Sequence, residues 1–184
     1  MSIKLIGQGR LTETTTTAGQ IVPGTVVVCH HTTYGPVVAW YCYSVEAVGV
    51  VGSPMYPEYA DFDTTGNFQV SDNENGTGVL GLEWCLGSWL GGVTTAAGYG
   101  FVQTFGWNMA AITTDDSVAA LDVVLPTTTD GTWAGVSLAA LCTDATAVAT
   151  SRVGFSPAAD GGTTMAVQTV HWNSQYFNAA LPTL

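Results

Sequence analysis

The sequence predicts an all-β protein, an antiparallel β-sandwich or barrel with an extended N-terminal arm and long loops. Three observations lead there. Short runs of β-branched and aromatic residues recur along the chain, such as VVAWYCYSV at 37–45 and YGFVQTF at 99–105. These runs are parted by glycine, proline, aspartate and asparagine, which end strands and build turns. No long segment places its apolar residues at the spacing an amphipathic helix requires.

Taken in order, residues 1–19 join a short apolar start to the low-complexity run TETTTTAGQ. Such a stretch has little to bury and no helical period, so it reads as an extended arm. Two readings stay open, a floppy terminus and an arm that orders against a neighbouring subunit. Pro23-Gly24 marks a turn, 25–31 a strand, and Tyr34-Gly35-Pro36 a second turn. Residues 37–45 form the most β-prone segment. Residues 49–57 are broken by Gly52, Pro54 and Pro57 and read as a loop. The polar clusters DTTG and SDNENG make 59–75 a surface excursion. Residues 79–90 turn apolar again and end at Gly91-Gly92.

The C-terminal half keeps this rhythm. A strand at 99–105 bends at Gly106 into a second at 107–113, closed by the acidic pair Asp115-Asp116. Residues 118–125 follow, then Pro126 and the turn TTTDG. A strand at 132–140 comes next, and Asp160-Gly161-Gly162 reads as a hairpin turn before a strand at 163–172. The alanine-rich stretch 138–149 has room for one short helix. The organisation expected is an arm (1–19), an N-terminal β region with the polar excursion (20–91) and a C-terminal β domain (92–184).

Composition limits the function. Charged residues make up 9% of the chain, against roughly 25% in an ordinary soluble domain. A monomer this poor in ions exposes apolar patches unless other protein covers them. The chain therefore reads as an assembly subunit. Only Lys4, Arg10 and Arg152 are basic, and the formal net charge is −11. Nucleic-acid binding draws on Lys and Arg that neutralise phosphates, and anionic membranes attract the same residues, so neither is an expected partner. The opening MSIKLIGQGR lacks an apolar core long enough for a signal peptide. Cys29, Cys42, Cys85 and Cys142 then read as buried free thiols of a protein made in a reducing cytoplasm.

No motif for chemistry survives inspection. Cys29, His31 and Cys42 are zinc-ligand types, but their spacing matches no ligand pairing and suits core packing. Aligning SDNENG with a calcium loop puts Leu82 where a bidentate Glu is required. Ser88 lacks the flanking glycines of a nucleophile elbow, and His171 near Ser174 has no acidic orienter. The carboxylate pairs all stand in turns. No catalytic residue, cofactor or metal is expected. The tryptophans mostly sit within apolar strands and read as core, with some left as interface anchors. The residues expected at contacts are Thr12, Thr14, Thr15, Thr16 and Thr17 in the arm, Tyr56 and Tyr59 in the excursion, and Trp107 and Trp133 beyond it.

The stretch GYGFVQTFGWNMAAITTDDSVAALDVVLPTTTDGTWAG, followed by SRVGFSPAADGGTTMAVQTV, resembles tailed-phage structural proteins of the small decoration or cement type. The likeness is one of rhythm and composition over roughly the last half of the chain. It implies a β-rich subunit, often trimeric, that binds the outside of an assembled capsid and carries no catalytic residues. The function expected is therefore that of a virion protein on the outer capsid surface. Its partners would be the major capsid protein and further copies of itself, as a trimer or a dimer. The alternative is a carbohydrate-binding or adsorption module of a spike or fibre, using exposed Trp and Tyr.

Overall fold

The described strands form two sheets, and the first closes on itself. The computed structural model describes residues 11, 14–16, 21–32, 35–58, 68–73, 84–106, 111–114, 119, 122–137, 139, 154–155 and 164–166. Six strands form the first sheet: β1 (Val26–His31), β2 (Gly35–Ser44), β3 (Pro54–Pro57), β4 (Gln69–Ser71), β5 (Gly87–Trp89) and β6 (Gly98–Phe105). Five form the second: β7 (Ala111–Thr114), β8 (Val123–Pro126), β9 (Thr132–Val136), β10 (Gly154–Phe155) and β11 (Thr164–Ala166). The all-β class expected from the sequence is what the structure has. Pairing is mostly antiparallel, with β2–β4 and β7–β9 parallel. Ala139, the described residue of 138–149, has helical backbone.

The first sheet runs β1-β2-β4-β3-β5-β6, and β6 pairs back onto β2 along Val38 to Ser44. The five strands β2, β4, β3, β5 and β6 thereby close a small barrel, in which each strand finds a partner on both sides. One core cluster takes a side chain from every strand of the ring: Cys42, Met55, Val70, Trp89 and Val102. The other face of β2 and β6 carries a second cluster, built on Val37, Ala39, Tyr41 and Phe101 and capped by Leu11 and Leu90. Alternation along a strand is what lets β2 serve both cores.

Two glycines are required by this geometry. Gly24 N–H donates to Tyr41 O at 2.7 Å and Tyr41 N–H donates to Thr25 O at 2.9 Å. Two residues thus face one, a bulge whose first residue sits at φ 92°, where glycine is the natural occupant. Gly100 lies under the indole of Trp89, so that a Cβ there would overlap the ring. The buried indole also donates from Nε1 to Gly92 O at 3.2 Å, which satisfies its one polar atom.

The second sheet is ordered β10-β8-β9-β7-β11. The TTTDG turn behaves as expected. Thr132 Oγ1 donates to Thr129 O at 2.8 Å, and Thr129 N–H donates to Thr127 Oγ1 at 3.1 Å. This hairpin meets the β2–β3 loop, where Trp133 Nε1 donates to Gly52 O at 2.7 Å. Neither indole nor carbonyl sees water there: Trp133 and Gly52 are buried.

Several expectations need correction. Residues 54–57 are a strand, because the prolines stand at its two ends, where a missing N–H is tolerated. Gln69–Ser71, assigned to the surface excursion, is a fully buried strand of the barrel. Gly91-Gly92 does not divide the hydrogen bonding, since β6 pairs with β2 and β5 on its N-terminal side; the change of sheet comes between β6 and β7. Asp160, Gly161 and Gly162, expected as a hairpin turn, lie outside the described residues. The arm, where described, docks on its own chain: Leu11 is in a core cluster and Thr15 exchanges two backbone hydrogen bonds with Tyr99.

Trp89 fills the barrel, so Trp89→Ala should cost about 3–5 kcal/mol by denaturant titration. Gly100→Ala should cost about 1–3 kcal/mol by overpacking. Values of both variants within about 0.5 kcal/mol of the parent would contradict the barrel core described.

Candidate interaction surface

The residues expected at contacts fall into three groups. Thr14, Thr15 and Thr16 line an open cleft of about 190 Å³ with Val93, Thr94 and Thr95. The backbone of Thr15 is held by Tyr99, and the Thr94 hydroxyl accepts the Val48 N–H at 2.8 Å. What the cleft offers a partner is threonine hydroxyls and methyls, with no charged group among its lining residues. Tyr56 and Trp133 have no exposed surface. Their aromatic area is already spent inside the chain, so they are core residues and not contact residues. Thr12, Thr17, Tyr59 and Trp107 lie outside the described residues.

The exposed apolar surface lies elsewhere. Val26 is 47% exposed, Val28 56% and Phe105 39%, and Val22 precedes them at 67%. The register joins Val26, Val28 and Phe105 into one face. Val26 stands opposite Trp40, Val28 opposite Val38, and Val38 opposite Phe105. Trp40 and Val38 are themselves half-buried. Sequence reasoning missed this face because VVV at 26–28 gives no sign of which valines point outward. The signal that would have found it is alternation matched across β1 and β2 once their hairpin is recognised.

A second feature sits where the β2–β3 loop and the start of the 72–73 bend approach the β8–β9 turn. Ser71 Oγ donates to Glu46 Oε1 and also accepts the Asn73 N–H at 2.9 Å. Asp72, only 8% exposed, lies near both Glu46 and Asp130. Burial, then the charges of Glu46 and Asp130, push its carboxyl up to about 6, against weaker support from the N–H groups of Asp72 and Gly49. Asp72, Glu46 and Asp130 are three carboxyl groups near one another. Their effect is like-charge repulsion in a partly dry seam.

The remaining candidates for chemistry are placed apart. Cys29 belongs to the cluster outside the barrel wall and Cys42 to the one inside it, so the two thiols occupy opposite faces of the sheet. Cys29, Cys42 and Cys85 are thiols and form no disulfide with one another, and burial raises all three, Cys85 up to about 12. Thiols so shifted are poor nucleophiles and poor metal ligands. No group of three His, Cys, Asp or Glu side chains suited to a metal occurs among the described residues. Ser88 is buried, with its hydroxyl donating to Gly52 O at 3.2 Å. His171 and Ser174 lie outside the described residues.

The chain matches no protein-family model, no curated protein and no solved structure.

The raised Asp72 carboxyl gives a pH dependence of known sign. The folded chain holds this proton more tightly than the unfolded one, so the associated stability is full below the ordinary value of 3.8 and lost as pH rises through about 6. Asp72→Asn keeps the group neutral and can still accept the Gly49 N–H. Its thermal midpoint should exceed the parent's at about pH 8, and the gain should vanish at about pH 4. A midpoint lowered at the higher pH would show the charge to be stabilising instead.

Proposed function

We propose that the protein is a non-enzymatic virion component that binds the outer surface of a tailed-phage head. There it reinforces the shell by bridging capsomers, self-associated as a trimer or a dimer. The observation that carries this reading is an exposed apolar face, Val26, Val28 and Phe105, on the sheet that closes the barrel, in a chain with 9% charged residues. A rigid frame presenting apolar area loses little entropy on docking, so most of the buried area goes into adhesion. A protein whose task is to resist the parting of capsomers gains from such a frame. The net charge of −11, turned outward, keeps decorated particles apart in solution. Trp89 and Trp133 are buried while Trp84 is 37% exposed, so a glycan-binding module that uses an exposed ring stands as the alternative.

The test is co-sedimentation with expanded, empty phage heads, read against retention on immobilised glycans. The account expects the chain to pellet with heads, and Phe105→Asp to weaken that binding by about tenfold or more. Leu11 and Thr15 belong to the fold, so point variants at exposed positions serve better than removal of the arm. A chain that stays in the supernatant with heads and is retained by glycans would overturn the reading.

A further inference from the structure

Barrel closure leaves one long strand of the first sheet outside the ring. Among the described strands, β1 pairs with β2 and with no other. The bulge at Gly24-Thr25 fixes which of its backbone groups are used. Thr25 O accepts the Tyr41 N–H at 2.9 Å, so the antiparallel ladder next engages Val27 with Ala39 and Cys29 with Val37. Pro36, which has no N–H to give, stands opposite His30 at one of the unbonded positions. The N–H and C=O groups of Val26, Val28 and His30 therefore point away from β2, along an open edge.

We propose that this edge is the self-association surface, and that its occupant is β1 of a second copy, paired antiparallel about a two-fold axis through Val28. The inference concerns the self-association within the proposed function and rests on that part alone. Three observations support a second copy as the occupant. With the axis at Val28, Val28 faces its own counterpart and Val26 faces His30, so every outward backbone group from 26 to 30 finds a partner of opposite kind. Two of the devices that usually keep edges apart are absent from the strand, since VVVCHH holds no Asp, Glu, Lys or Arg and no proline. Residues 14–45 contain no Asp, Glu, Lys or Arg in a chain of net charge −11. Two like-charged copies meet with least repulsion across such a stretch. Pairing also lays Val26 and Val28 of one copy beside those of the other and withdraws exposed apolar area from water. The contact is small, one strand against one strand, so it forms a concentration-dependent equilibrium and not an obligate dimer.

Sedimentation equilibrium of the full chain, up to about 200 μM, tests this by stoichiometry and by variant. Val28→Lys sets two ammonium groups face to face on the axis, and Val28→Pro removes an outward N–H while leaving the β2 ladder intact. Val93→Lys changes a valine that is 60% exposed at another site, and circular dichroism confirms that each variant is folded. The expected result is a monomer–dimer equilibrium weakened about tenfold or more by either Val28 variant and unchanged by the Val93 variant. A chain monomeric throughout, a stoichiometry other than two, or association indifferent to both Val28 variants would overturn the proposal. Head binding by the parent chain is scored separately, so an edge that fails here leaves the capsid reading standing, and the reverse also holds.

Discussion

The structure depends on the demand that β2 form the wall of two cores at once. Its inward side chains close the barrel around Trp89, and its outward ones support the layer capped by Leu11 and Leu90. A strand used in this way must be apolar on both faces, which is why residues 37–45 read as an unbroken run in place of an alternating one. It must also hydrogen-bond along both edges. β6 takes one edge, while β1 and then β4 share the other.

From that constraint the surface follows. Once the ring is closed, its five strands have no free edge, and among the described strands of the first sheet the accessible edge is that of β1. The buried aromatic residues are committed to holding the two sheets together: Trp133 reaches from β9 to the Gly52 carbonyl across the seam. The seam itself carries a cost, because Asp72 is buried beside two further carboxylates.

The legible part of the fold was that governed by local rules. Residues 37–45 and 99–105 were recognisable because β-branched and aromatic density suffices for a strand whatever its partner, and the TTTDG turn because its threonines and glycine bond within a few residues of each other. The failures came where tertiary pairing overrides local signals. Pro54 and Pro57 look like breakers, yet both sit at the margins of a strand held by Ser88 and Val70. Gln69–Ser71 looks like loop because its burial is supplied wholly by strands distant in sequence. The contact residues fared similarly. Tyr56 and Trp133, expected at contacts, are buried, because aromatic character alone does not separate core from interface.

Residue-resolved amide hydrogen exchange on the dilute chain tests the closure of the ring most directly. If β2–β6 pairing closes the barrel, the amides of 39–43 and 99–103 will exchange only through global unfolding, and will be the slowest of the chain. Exchange of those amides at the rate of the 45–53 loop, or faster than the β8–β9 hairpin, would mean that the seam is open and that the barrel does not exist in solution.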